Sequence, residues 1–215
     1  MIEPAPPTRY NDIMLDDTAH DSAARSVGDT VIELADDPSD ASAIAVVAAA
    51  TFPLACPPHS TPGDVAAHIE MHLAPANFAA WIADDSYDVV VARHPVDGVI
   101  GYTLLVHSEP SDDDVRTALG IDGASGAAPI TEISKMYVLP EHHGATRSDR
   151  PAHRLMAAAL DVARAKGSTR AWLGVNQENR RALRYYTKMG FTRAGTKTFD
   201  MNGAVEHDYV LVRDL

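Results

Sequence analysis

Apolar and polar positions alternate along this chain in blocks that predict both helices and strands. A strand is predicted over 30–34, where Thr, Val, Ile and Leu flank one Glu, and Asp36-Asp-Pro-Ser-Asp40 opens a helix over 41–51. Thr61 precedes Pro62, a cap followed by a residue pre-set for the first helical turn, so a helix runs through 65–73 and continues over 77–82. Two β-branched runs, 87–92 and 99–107, flank Pro95-Val-Asp-Gly98 and predict a hairpin. Residues 108–129 are acidic and Gly/Ala-rich, a loop with one helical turn near 115–119.

A strand over 130–138 is stopped by Pro140. Over 151–166, Leu155, Met156, Ala159, Leu160 and Ala163 recur at helical spacing, and Gly167 suits the position after a helix end. A short strand over 171–175 shows no alternation, as expected when both faces are covered. A helix over 178–189 ends at Gly190. The runs 191–199 and 206–212 then form a second hairpin across Asn202-Gly203. The order β-α-α-β-β-β-α-β-α-β-β describes an α/β (α+β) mixed sheet with helices on its faces. Residues 1–29 are Pro-, Asp- and Ala-rich without period, which predicts a flexible N-terminal tail before a single domain over 30–215.

Composition narrows the function. Of 215 residues 46% are hydrophobic, enough for a core, and no apolar run nears the ~20 residues of a membrane helix. The opening Met-Ile-Glu-Pro lacks the basic and apolar regions of a secretory signal, so a cytoplasmic, membrane-free protein is expected. Cys56 is the single cysteine, which excludes an internal disulfide. The net charge of −12 argues against nucleic acid as a partner. Charge is uneven, however. Between Glu141 and Lys197 stand 12 basic and four acidic residues, a local +8, whereas the remainder holds 6 against 26, or −20. An anionic ligand held by the basic segment, with an acidic remainder hospitable to a cation, fits this split.

Chemistry concentrates in Trp172-Leu-Gly-Val-Asn-Gln-Glu-Asn-Arg-Arg-Ala-Leu-Arg-Tyr-Tyr-Thr-Lys-Met-Gly-Phe191. On a helix, Asn179, Ala182 and Tyr186 share one face, with Asn179 and Tyr186 ~10 Å apart along the axis, while Tyr185 turns toward the core. By spacing alone, the favoured reading is a helix-start residue for Asn179 and core packing for Tyr186.

The pattern Asn179-x-x-Ala182-Leu-x-Tyr-Tyr186-x-x-x-Gly190-Phe191 after a strand resembles the GNAT acetyltransferase superfamily. So does Ser134-Lys-Met-Tyr-Val-Leu-Pro-Glu-His-His-Gly144, and together with 81–106 and the final hairpin the resemblance covers 30–215. It implies a mostly antiparallel sheet splayed at its centre, with acetyl-CoA in the V between the strands 131–138 and 171–175. Main-chain groups of Met136, Tyr137 and Val138 would bond the pantetheine arm, joined by Asn179, with Asn176 and Lys188 also on the cofactor. Tyr186 would sit by the thioester sulfur, where a phenol of pKa ~10 can give a proton to the departing thiolate.

The family's glycine-rich cofactor loop is altered here, being longer and retaining only Gly144. His143, Gly144, Ala145 and Ala152 stand at its motif positions, and Arg147, Arg150 and Arg154 are candidates to replace lost amide contacts to the pyrophosphate. Because most amines are protonated at pH 7, a base is needed. Glu132, expected to share a face with Ser134 and Met136, is the leading candidate, either as that base or as a carboxylate that only binds a cationic substrate. His107 is the second candidate. His142-His143 does not suggest a metal site, and none is expected. Asp112-Asp-Asp114 reads as a solvated charge run or as part of an acceptor site.

The implied activity is direct acetyl transfer from acetyl-CoA to a primary amine of a small, cationic acceptor. A non-catalytic acyl-CoA-binding module and a protein N-acetyltransferase stand as alternatives, and a homodimer is left open.

Overall fold

The computed structural model describes residues 30–57, 59–121, 129–143, 150–201 and 204–215. The tail expected over 1–29, the Asn202-Gly203 turn and loop residues Gly144, Ala145 and Arg147 lie outside these. Strand β1, Val31–Leu34, leads through a short 3-10 turn into α1, Ala41–Thr51. Helix α2, Pro62–His72, starts where expected: Thr61 Oγ1 accepts the Asp64 amide at 3.2 Å and Pro62 opens the first turn.

The helical stretch does not run on. Ala74 is extended, with φ −68° and ψ 153°, because Pro75 clashes with a helical residue before it. A separate helix α3, Pro75–Ala83, follows. The hairpin of β2, Tyr87–His94, and β3, Gly98–Val106, closes on Gly98 at φ 72°, a left-handed position suited to glycine. Next come α4, Asp113–Ala118; β4, Ile130–Val138; α5, Pro151–Ala165; β5, Arg170–Asn176; α6, Arg180–Lys188; β6, Thr192–Met201; and β7, Ala204–Asp214.

The seven strands form one sheet in the order β1-β2-β3-β4-β5-β7-β6, antiparallel except between β4 and β5. Helix α5 buries the whole predicted stripe of Leu155, Met156, Ala159, Leu160 and Ala163 on one face, against Val90, Ile100, Leu105 and Ile133. On the opposite face, α1 and α3 bury Ile44, Val47 and Phe78 against Val89, Tyr102 and Leu104. A smaller cluster packs Val115 of α4 and Leu119, just beyond its end, on Trp172 and Val210. Apolar layers on both faces fix the sheet, so the seam at its centre, where two parallel strands part, is held open by packed neighbours. Among the described residues no helix is long and apolar enough to cross a membrane.

Candidate active site

That seam lies between β4 and β5. The two strands pair only through Ile130↔Arg170, Thr131↔Ala171 and Glu132↔Trp172. From Ile133 to Val138 the main chain of β4 has no β5 partner among the described residues, and a cleft of about 500 Å³ opens there. Unpaired strand groups facing a cleft are a template for an extended ligand carrying amides.

A bulge sets which side chains enter. Leu104 pairs with Lys135 but Leu105 with Ile133, so Ser134 is the extra residue. Glu132, Lys135 and Tyr137 consequently share the face of Val106, Leu104 and Tyr102, while Met136 and Val138 turn to the α5 face. The expectation that Glu132 shares a face with Met136 is therefore corrected: alternation fails across a bulge.

Glu132 is half-buried at the point where the strands part. Burial raises its carboxyl above the ordinary glutamate value, against the opposing pull of the Lys197 and Lys135 charges and a Ser134 hydrogen bond. Burial lowers Lys135 in turn. The Tyr186 ring packs 5.4 Å from Tyr185 and 6.0 Å from Phe191, and burial pushes its phenol up to about 12. A phenol held protonated is a donor at any ordinary pH. Tyr185 is a structural tie instead. Its hydroxyl donates to the Ala152 carbonyl at 2.7 Å, fastening α6 to the start of α5.

Asn179 caps α6 rather than lying within it. Its Oδ1 accepts the Ala182 amide at 3.0 Å, which leaves the Nδ2 group as donor toward the cleft it lines. Asn176 is occupied on both sides, accepting the Glu178 amide at 2.9 Å and donating to Glu206 at 3.3 Å. Sequence reasoning missed Glu206, a buried carboxylate that also meets His59 at 2.7 Å. It also missed Lys197 and Asp208, cross-strand partners whose side chains line the same cleft. Gly174 was the available signal, since an isolated glycine in a strand marks a close approach. A Cβ there would stand 2.7 Å from Lys197 Cε and 3.2 Å from Asp208 Oδ2.

At the other end, His143 Nε2 donates to the Val138 carbonyl at 2.7 Å, and Arg181 donates to His143 Nδ1 at 2.6 Å. One of the main-chain acceptors expected to hold a ligand is thus engaged within the protein. Arg150 is exposed immediately before α5, and Ala152 lines the cleft. Arg154 donates to the Thr30 carbonyl at the foot of β1. Lys188, exposed at the end of α6, is not among the lining residues.

His107 is also elsewhere. It lies on the α5 side of the sheet, 2.9 Å from both Asp88 Oδ2 and Thr131 Oγ1. Asp112 caps α4 through the Asp114 and Val115 amides. His142 faces Asp97 at 3.4 Å, and no metal-binding group occurs among the described residues.

The splayed pair and the Asn179-to-Phe191 segment agree with a sequence comparison. The profile of the Acetyltransferase (GNAT) family matches residues 50–191. The chain belongs to the GNAT family. It is 39% identical over 178 residues to uncharacterised N-acetyltransferases of Mycobacterium bovis and Mycobacterium tuberculosis, covering 82% of this chain and 99% of theirs. The fold matches the PaiA N-acetyltransferase of Thermoplasma acidophilum in complex with coenzyme A, with TM-score 0.62 and 16% identity over 86% of this chain and 99% of that one. YncA of Salmonella typhimurium, with its cofactor acetyl-CoA, aligns with TM-score 0.57 and 21% identity over 87% and 94%. This GNAT protein is an acetyltransferase, and the elongated loop does not remove it from the family.

Proposed function

We propose that this enzyme transfers an acetyl group from acetyl-CoA directly to a primary amine of a small cationic acceptor. The observation that carries the reading is the open seam: six residues of β4 without a β5 partner, with Glu132 at its closed end and Tyr186 on its wall. Two solved relatives in fold hold coenzyme A or acetyl-CoA. Acetyl-CoA supplies the activated acetyl thioester. The unpaired groups of β4 and the Asn179 amide would hold its pantetheine arm, and Arg150 with the first turn of α5 would face its phosphates.

In the transfer the N–C bond forms and the C–S bond breaks, and the ammonium nitrogen loses two protons. Glu132, whose raised carboxyl is the better base for its burial, takes one and passes it to solvent. Tyr186 gives its phenolic proton to the departing sulfur and is reprotonated by the second proton from the nitrogen. Glu132, Glu206 and Asp208 line the cleft and favour a cationic acceptor. The test is thiol release from acetyl-CoA against a panel of amines, with calorimetric binding of CoA alongside. Turnover with small amines supports the reading. Binding without turnover of any amine would leave a sensor, and turnover of peptide N-termini alone would make it a protein acetyltransferase.

A further inference from the structure

Lys135 stands out within the acceptor half of the cleft. It is half-buried, yet among the described residues no carboxylate oxygen lies within 4.0 Å of its ammonium. Its contacts are the Ser134 hydroxyl at 3.5 Å, the edge of hydrogen-bond range, and the face of Trp81 at 5.0 Å. The aromatic face offsets part of the desolvation but accepts no strong hydrogen bond. A half-buried cation with no carboxylate in contact is only partly compensated by the Glu132 charge, and an anionic group entering the cleft would relieve the remaining cost.

The position of Lys135 says which anion. Glu132 and Lys135 stand opposite Val106 and Leu104, so they are one same-face repeat apart, ~7 Å along the strand. A base and an ammonium at that separation match the two ends of one small molecule. The wall beside them is the stacked Phe52–His68 pair, with centroids 4.5 Å apart. His68 is held to about 4 by burial and by the His72 and Lys135 charges, so it is neutral and adds no competing cation.

We propose that the acceptor is a zwitterion of the amino-acid class, its amine at Glu132 and its carboxylate on Lys135. The inference rests on acetyl transfer in this cleft and adds to the acceptor's cationic amine a carboxylate on the same molecule. Lys135 is then a specificity-determining residue, and Glu132 remains the proton acceptor.

The experiment measures kcat/KM with acetyl-CoA for L-α-amino acids and for the matching amino-acid amides. An amide keeps the shape, loses the carboxylate, and has the more readily deprotonated amine, so preference for the acid runs against intrinsic reactivity. The wild type is expected to favour acids about 10- to 100-fold, the scale of one charged hydrogen bond. In Lys135→Met that ratio should fall toward one through the KM for acids, and Lys135→Arg should restore part of it. A wild-type ratio at or below one overturns the inference, as does a Lys135→Met enzyme that keeps the wild-type ratio. Acetylation of Lys135 itself, read by mass spectrometry after incubation with acetyl-CoA, also overturns it, since an amide cannot hold a carboxylate. Turnover of plain amines without preference for acids would sink this inference alone. Absence of both turnover and CoA binding would sink the acetyl-transfer reading with it.

Discussion

Strand β4 carries two polar clusters on its opposite faces, and they are built differently. On the α5 face, Thr131 joins a closed chain: Ser168 Oγ at 2.8 Å, His107 at 2.9 Å, then Asp88 at 2.9 Å, with Lys166 on Asp88 at 3.2 Å. Each residue of that chain is hydrogen-bonded or ion-paired to the next. On the cleft face, Glu132 and Lys135 are half-buried, perturb each other, and form no ion pair among the described residues. The same strand therefore holds a linked network that fastens the sheet and a charged pair, not in contact, that lines the cleft. Polar residue type alone does not separate the two clusters; their partners do.

Breaking the cleft cluster should cost activity and little stability. Glu132→Gln is expected to lower kcat/KM about 10²- to 10³-fold near neutral pH, with recovery toward the acceptor amine's own pKa, where free amine is abundant. Its effect on stability has the opposite sign. Folding raises the Glu132 carboxyl, so the penalty for ionising it is absent in acid and appears as pH rises through the folded-state value. Denaturant titrations should therefore find Glu132→Gln at least as stable as wild type at neutral pH, the difference vanishing in acid.

Tyr186→Phe should lower kcat ~10²-fold while leaving the fold intact. Tyr185→Phe should leave turnover near wild type and lose about 1 kcal/mol, because the Ala152 carbonyl loses its donor. A reversal of those two phenotypes would place the wrong tyrosine by the sulfur.

The closed cluster should respond the other way. His107→Ala takes one partner each from Asp88 and Thr131 and is expected to cost about 1–3 kcal/mol by urea midpoint. Turnover per folded molecule should not change, and a pH–rate profile altered in this variant would restore His107 as a candidate base.

Asn179 straddles the distinction, and two substitutions divide it. Asn179→Ala removes the α6 cap, about 1 kcal/mol of stability, and the Nδ2 donor, about 1–2 kcal/mol of CoA binding. Asn179→Asp keeps the cap, so calorimetry should show the binding loss without the stability loss. The smallest effect belongs to exposed Arg150: Arg150→Ala should weaken CoA by under about 1 kcal/mol, and added salt should erase the difference.

Much of the scaffold was legible because its signals are local. The five-residue stripe of α5, Pro140 after β4, and Thr61-Pro62 each act within a turn or two of chain, and the elements appear where they predict. The resemblance in Asn179 to Phe191 led to the family for the same reason, being a contiguous run. The unpaired half of β4 was implied by that resemblance and not by any property of the strand's own residues.

What escaped is what depends on partners far along the chain. The Ser134 bulge is a mismatch with β3, so no inspection of 130–138 could foresee that Glu132 and Lys135 share a face. His107 read as a candidate base until Asp88 and Thr131 were found against it. Lys197 and Asp208 reach the cleft because Gly174, on a third strand, leaves room for them. The sequence by itself determined the element order, the buried faces and the helix that carries Tyr186, because periodicity and capping are short-range properties of the chain. Only the tertiary structure decided which polar groups are satisfied and which face the cleft, because desolvation and hydrogen bonding are set by whatever the fold brings within a few ångströms.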